Sequence, residues 1–125
     1  MNEPKLASIV CEDLRDAAIN HYLDIESGWL KSPDGRSLYE QLKAVPAEQR
    51  ALFRKLLTAS IDVGLHDFLF RMSELHEQGE GIGWYENGTN VAAESDGLHG
   101  EPWGESGWIA KHSQHPPEPE GDATE

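Results

Sequence analysis

Four residues of the sequence have the side chains of a metal site: His66, Asp67, His99 and Glu101. Imidazole and carboxylate groups are common zinc ligands, and a bound zinc ion activates water for hydrolysis. On a helix, however, neighbours such as His66 and Asp67 diverge by about 100° and do not converge on one ion. The His99-Gly100-Glu101 sequence is similar to the His-x-Glu of zinc deaminases, but the matching downstream Pro-Cys-x-x-Cys is missing. A small metal-dependent enzyme that uses these four residues is therefore the alternative prediction.

Nucleophilic catalysis has less support from the sequence. Cys11, the single cysteine, is followed by two carboxylates at residues 12 and 13. Nearby negative charge raises a thiol pKa, which is the opposite of what a reactive cysteine needs. The stretch from Gly104 to Trp108 fails the Gly-x-Ser-x-Gly elbow at its last position. We therefore predict that the protein is not an enzyme, that it holds no metal and no cofactor, and that Cys11 is a small buried hydrophobe.

The glycine-rich segment that precedes Trp108 concentrates acidic and aromatic side chains. Pairs of carboxylates in it could serve acid–base chemistry, but the spacing selects no pair. Aromatic residues among carboxylates are also typical of protein interfaces, where the aromatic side chain anchors and the charges steer. Trp103, between Pro102 and Gly104, has the weakest structural role of the four tryptophans and is the best anchor. The predicted partner-binding residues are Glu94, Asp96, His99, Glu101, Trp103 and Glu105.

The distribution of charge predicts the sign of the partner. The formal net charge is −13, and residues 81–125 contribute −8 of it, with nine acidic side chains against Lys111 alone. Such a field repels nucleic acid and anionic membranes and favours cationic partners. We therefore expect a basic protein partner, no nucleic acid and no membrane; simple solubility is the other interpretation of the same charges.

Several short stretches give the sequence a resemblance to a known group of proteins. They are residues 64–70 (GLHDFLF), 90–91 (NV), 95–101 (SDGLHGE) and 107–109 (GWI). In this combination the chain resembles small acidic bacterial proteins that are grouped with the immunity proteins of toxin systems. The resemblance covers roughly residues 50–112, and it implies a stoichiometric binding protein without a catalytic centre. Taken with the acidic charge, it predicts an immunity-like inhibitor that occludes a basic protein partner such as a toxin.

Hydrophobic periodicity predicts three helices. An apolar stripe that includes Leu14 and Ala17 predicts a helix over residues 4–25, with Pro4 in its first turn. Residues 32–35 (SPDG) form a turn cluster, and a short helix is expected over about 37–44. Pro46 opens the strongest helical pattern, which lasts until Gly79, with a bend or break expected near Gly64. Trp29 is predicted to fold back over the core, and Trp108 is predicted to be another core cap.

A β-hairpin is predicted over residues 82–93. Asn87-Gly88 is the preferred pair for a type I′ turn, in which both residues have positive φ. Pairing outward from this turn places Trp84 opposite Val91 on a face with Ile82 and Ala93, so Trp84 is expected in the core. Tyr85 and Asn90 are expected to face the other way.

Together these elements predict an α+β fold in which an N-terminal helical layer packs on a small antiparallel β-sheet. Residues 1–113 are expected to form one domain, and residues 114–125 a disordered acidic tail. The sequence contains neither a secretory signal pattern nor an apolar run of about 20 residues. With one free cysteine, this predicts a cytoplasmic protein.

Overall fold

The computed structural model describes residues 3–117, and it begins with one long helix built from three segments. These are α1 (Lys5–Ser8), a π-helical segment (Ile9–Asp16) and α2 (Ala17–Ser27). The backbone is right-handed helical at both junctions, so the segments continue one another; we call the whole the N-terminal helix. Pro4 lies just before the first turn rather than in it. Gly28 ends the helix with a φ of 81°, a left-handed conformation that glycine adopts without strain.

The π-helical segment changes which residues face the core. Hydrogen bonds from residue i to i+5 widen each turn, so side chains after the segment point in other directions than in a regular α-helix. As a result Arg15 and Asp16 are buried, while Leu14 and Ala17 are exposed. The predicted apolar stripe is therefore wrong at Leu14 and Ala17, because the prediction assumed 3.6 residues per turn throughout.

Two further helices complete the helical layer. Helix α3 (Pro33–Lys43) begins within the predicted turn cluster, because Ser32 caps it by accepting the backbone N–H of Gly35 at 3.1 Å and Pro33 occupies the first turn. Helix α4 (Ala47–Glu77) confirms the long helix that was predicted between Pro46 and Gly79. The expected break near Gly64 is wrong, because α4 continues through that residue.

A short hairpin follows the helices. Strands β1 (Tyr85–Glu86) and β2 (Thr89–Asn90) pair antiparallel in the predicted register, and the turn between them has φ values of 53° and 81° at Asn87 and Gly88. The strands are shorter than predicted, because Asn90 accepts the Ala92 backbone N–H and starts a 3₁₀ turn (Val91–Glu94) instead of a longer ladder. Asn90 is buried, contrary to the outward position predicted for it.

The core lies between the N-terminal helix, α4 and the segment after the hairpin. The order of elements, helices first and a small antiparallel hairpin after them, confirms the predicted α+β fold class. Trp108 lies on helix α5 (Trp108–His112) and is buried, which confirms its predicted position at the core. Trp84 packs against the same core, as predicted. The prediction for Trp29 is wrong: it is 72 % exposed, because the chain turns at Gly28 before it can reach the core. The buried apolar cluster consists of Leu6, Ala7, Val10, Cys11, Leu65, Leu69, Met72, Val91, Ala92, Leu98, Trp108 and Ile109.

A buried arginine connects three distant parts of the chain. The side chain of Arg15 has no exposed surface. Its Nε donates to Asp62 Oδ1 at 2.6 Å and its Nη2 to Asp62 Oδ2 at 3.2 Å, which ties the N-terminal helix to α4 by a two-pronged ion pair. Its Nη1 donates to Ser113 Oγ at 2.8 Å and to the backbone carbonyl of His115. The guanidinium therefore also fastens the segment after α5.

The neighbouring carboxylate strengthens the same connection. Asp16 Oδ1 accepts the hydroxyl of Ser113, and its Oδ2 accepts the backbone N–H of Gln114 at 2.9 Å. Two adjacent residues of the π-helical segment thus bind one short stretch of chain. We call Arg15, Asp16, Asp62 and Ser113 the Arg15 network.

The predicted tail begins too early in the sequence. Gln114 and His115 belong to the folded part, because both bond to the N-terminal helix; His115 Nε2 lies 2.7 Å from Asn20 Oδ1. Ser113 Oγ accepts the backbone N–H of His115 at 3.1 Å, and this local turn directs Gln114 and His115 toward the N-terminal helix. Residues 118–125 of the predicted tail lie outside the described residues. Among helices in residues 3–117, none combines the length and apolar character needed to cross a membrane.

The Arg15 network predicts a large loss of stability on Arg15→Ala. Removing the guanidinium leaves the largely buried carboxylate of Asp62 without its cation and takes a donor from Ser113, so the free energy of unfolding should fall by about 3–5 kcal/mol. Urea denaturation followed by circular dichroism measures this. The matched control is Arg54→Ala, whose half-exposed side chain pairs with Glu26 and should cost about 1 kcal/mol or less. Equal losses for the two variants would contradict the assigned role of Arg15.

Candidate functional site

An acidic cleft lies where the start of the N-terminal helix meets the hairpin. Its larger part, about 300 Å³, is lined by three carboxylate residues (Glu3, Glu86, Glu94) and by Pro4, Asn87, Thr89 and Val91. A smaller part of about 130 Å³ shares Glu3 and Pro4 and adds Glu101, Ser106, Trp108 and Lys111. We call the two parts the acidic cleft. It combines concave shape with one predominant sign of charge.

Glu86 holds the hairpin against the N-terminal helix. Its carboxylate accepts the backbone N–H groups of Lys5 (2.8 Å) and Leu6 (2.9 Å) and the indole N–H of Trp84 (2.9 Å). The two backbone donors, Lys5 and Leu6, are among the N–H groups that a helix leaves unpaired at its start. Burial by itself disfavours the charged form of Glu86, but the three hydrogen bonds outweigh it and lower the pKa of this carboxyl. The negative charge on this wall of the cleft is therefore fixed in position.

Glu3 lines both parts of the cleft. Its carboxylate bonds to His112 and, at 3.2 Å, to Lys111 of α5. The hydrogen bond from His112 is the main cause of the lowered pKa of Glu3, with a smaller contribution from Lys111. Sequence analysis missed Glu3 as a site residue. No local pattern could have revealed it, because the contact joins residues more than 100 positions apart.

The predicted binding residues lie at different places on the C-terminal surface. Glu94 lines the larger part of the cleft and Glu101 the smaller part, where Glu101 accepts the hydroxyl of Ser95 at 2.6 Å. Asp96 and Glu105 are exposed and do not line the cleft. The structure thus brings two of the predicted acids to the cleft and leaves two on neighbouring loops.

Trp103 has a structural role that the sequence did not indicate. It is half-buried, packs against the hydrophobic core, and donates its indole N–H to the backbone carbonyl of His99 at 2.8 Å. Close by, Gly107 is buried so tightly that a Cβ atom there would lie 2.3 Å from the Trp103 carbonyl oxygen. The expectation that Trp103 has the weakest structural role of the tryptophans is therefore wrong, because Trp29 is much more exposed.

The histidines of the alternative metal site do come close together. His99, on a 3₁₀ turn (Leu98–Gly100), packs edge-on against His66 and Phe70 of α4, with ring centroids 5.3 and 5.0 Å away. His66 Nδ1 lies 3.1 Å from Asp67 Oδ1, so this adjacent pair interacts across the helix surface. His99 therefore belongs to a contact with α4 and does not line the acidic cleft.

These histidines do not assemble with the other predicted ligands into a metal site. Glu101, the fourth member of the set, is bonded to Ser95. Between residues 3 and 117, no group of three His, Cys, Asp or Glu side chains is arranged to hold a metal ion. The described residues therefore give the metal-dependent alternative no ligand set.

Cys11 is buried in the core, in agreement with the role predicted for it. Burial raises the pKa of its thiol to about 11, and the charge of Arg15 only partly opposes this effect. At neutral pH the thiol is therefore protonated and shielded from solvent, so it is a poor nucleophile.

Comparisons with known proteins identify no relative of this chain. No protein-family model matches it, and neither a curated protein nor a solved structure matches it significantly. Any functional assignment has to come from the chemistry of the chain itself.

The contacts of Trp103 predict that it contributes to stability about as much as Trp84. Both indoles are half-buried against the same core, so Trp103→Ala and Trp84→Ala should each lower the free energy of unfolding by roughly 3 kcal/mol. Chemical denaturation measures both. Trp29→Ala is the control and should cost less than about 0.5 kcal/mol, since that side chain is 72 % exposed. If Trp103→Ala left the free energy of unfolding nearly unchanged, the structural role of Trp103 would be contradicted, and its predicted role as a partner contact would be favoured.

The capping role of Glu86 predicts acid sensitivity. Its pKa is lowered in the folded state, so its charge stabilises the fold above the unfolded-state pKa of about 4.3. This contribution is lost as the pH falls through the folded-state pKa. Glu86→Gln should therefore lower stability by about 1–2 kcal/mol at pH 7 and have little effect near pH 2–3. Thermal melts at both pH values test this, and a pH-independent difference would contradict the electrostatic role.

Proposed function

We propose that the protein binds a basic protein partner through the acidic cleft and the loops beside it. The observation that carries the proposal is the convergence of Glu3, Glu86 and Glu94 on one concave surface. This surface belongs largely to the part of the chain with nine acidic side chains and one lysine. A concave surface of one sign raises the local concentration of an oppositely charged partner.

The acids of this surface divide into two roles in the proposal. Glu3 and Glu86 are held in place by contacts within the chain, so their carboxylates are preorganised acceptors for a lysine or arginine side chain of the partner. Glu94, Asp96 and Glu105 are exposed and provide long-range steering. Fixed acceptors contribute to affinity because binding does not have to order them.

The proposed mechanism is occlusion, as in an immunity-like inhibitor of a basic toxin. A partner seated on the cleft would have its cationic surface covered, with no chemical step. Trp103 is no longer the proposed anchor, since its indole is committed to the core and to His99. The anchor would instead be the partner's own basic side chain in the cleft. We place this function in the cytoplasm, where a free buried thiol such as Cys11 remains reduced.

The proposal predicts that charge reversal at the cleft and on the loop beside it weakens partner capture. Affinity purification from cells that produce the protein naturally, followed by mass spectrometry, should recover a basic protein whose retention falls as salt rises. The double variant Glu94→Lys with Asp96→Lys should lose it through a slower association rate. The matched control, Glu40→Lys with Glu48→Lys, makes the same change in net charge on α3 and α4 and should retain it. Equal loss from both variants, or recovery of no basic protein, would contradict the proposal.

A further inference from the structure

Helix α4 has an apolar stripe on the side that faces away from the core. The residues that α4 buries are Thr58, Leu65, Leu69 and Met72. At about 100° per residue, a second set of residues lies about 130° around the helix from these. These are mostly apolar, and Leu56 and Val63 in their middle are 56 % and 60 % exposed. The outer stripe consists of Leu52, Leu56, Ala59, Val63, His66 and Phe70. At its C-terminal end His66 and Phe70 also contact His99 of the same chain, and Phe70 is 43 % exposed beside that contact.

The spacing of the outer stripe is that of a helix-pairing seam. Its residues follow one another at steps of four, three, four, three and four. This alternation is the heptad pattern by which two helices pack along a shared line. Along the same helix the inner face is occupied by the core. A helix that is apolar on two separate faces is typical of one that is covered on both.

The charges of α4 favour one particular occupant, a second copy of the same helix in the opposite direction. Residues 47–61 carry three basic side chains and one acidic one, whereas residues 63–77 carry three acidic and one basic. The first half stays net positive although Arg54 is paired with Glu26, and the second stays net negative although Arg71 is paired with Glu74. Asp62, at the midpoint, is neutralised by Arg15. Antiparallel pairing places each basic half beside an acidic half, while parallel pairing places like charges together. The helix is thus electrostatically complementary to itself only in the antiparallel sense.

We propose that the outer stripe forms an antiparallel, two-fold symmetric contact between two copies of this chain. With the axis near residue 61, Leu52 meets the second copy's residue 70, Leu56 meets residue 66, and Ala59 meets residue 63. Smaller side chains thereby oppose larger ones, as interdigitating helix pairs require. The proposal does not rest on the acidic cleft, which lies at the start of the N-terminal helix.

The size of the contact sets the strength of the dimer. From Leu52 to Phe70 the stripe is about 27 Å long at 1.5 Å per residue. A single helix pair of this length lies at the small end of specific interfaces, which bury about 800 Å² per partner in the standard case. We therefore expect a dimer that dissociates on dilution.

Sedimentation equilibrium of the full chain over a range of concentrations tests the association. The mass should rise from one chain to two as concentration rises. Val63→Glu should raise the dissociation constant at least about tenfold, because it places a carboxylate against Ala59 in the apolar middle of the seam. The matched control is Leu38→Glu on α3, where the replaced leucine is 44 % exposed and lies off the stripe. A protein that stays monomeric at every concentration would overturn the proposal and leave the stripe to a different protein. So would an equal loss of dimer in both variants.

Disulfide crosslinking tests the direction of the pairing without disturbing the seam. Ser60→Cys places a thiol close to the proposed axis, so oxidation should link two chains. Gln49→Cys places its thiols about 36 Å apart in the antiparallel dimer and should not crosslink. The unmodified protein is the background control, because Cys11 is buried. In a parallel pair each residue lies level with its own copy, so crosslinking of Gln49→Cys would show parallel pairing and overturn the proposed geometry.

Discussion

A fully buried guanidinium constrains the whole structure. An arginine without exposed surface is tolerated only when its charge and donors are paired, and Arg15 meets this need with Asp62 of α4 and with Ser113 and His115 beyond α5. Folding must therefore bring the middle and the end of the chain to the N-terminal helix together. The π-helical segment is part of this arrangement, because it turns Arg15 and Asp16 inward where a regular helix would turn Leu14 and Ala17.

The acidic surface is attached to the N-terminal helix at both of its ends, and one of the two attachments is the Arg15 network. At one end Glu86 ties the hairpin to the first turn of the N-terminal helix, and at the other Ser113 joins the Arg15 network. The irregular segment between them contains little regular structure of its own, so these attachments and the burial of Leu98 and Trp108 define its shape. A surface of loops held in this way presents its carboxylates in fixed positions, as the proposed binding function requires.

Local chemistry explains which features were predictable from sequence. The turn at Asn87-Gly88 and the extent of α4 were predicted because turn propensity and apolar spacing act over a few residues. The inward position of Arg15 was not, since it depends on a π-helical segment and on partners 47 and 98 residues away. Of the cleft, Glu94 and Glu101 were predicted from charge alone, whereas Glu3 was missed because its contact with α5 joins distant parts of the chain. Trp103, which lies off the cleft, was mistaken for a surface anchor, because its packing against the core leaves no periodic pattern in the sequence.

The most direct test of this account is a double-mutant cycle between Arg15 and Asp62. Arg15→Met, Asp62→Leu and the double variant are compared with the unmodified protein by urea denaturation. If the ion pair links the N-terminal helix to α4, the two substitutions should be coupled by about 2 kcal/mol or more, with the double variant much less destabilised than the sum of the singles. Additivity within about 0.5 kcal/mol would contradict the account, since Arg15 and Asp62 would then contribute independently to stability.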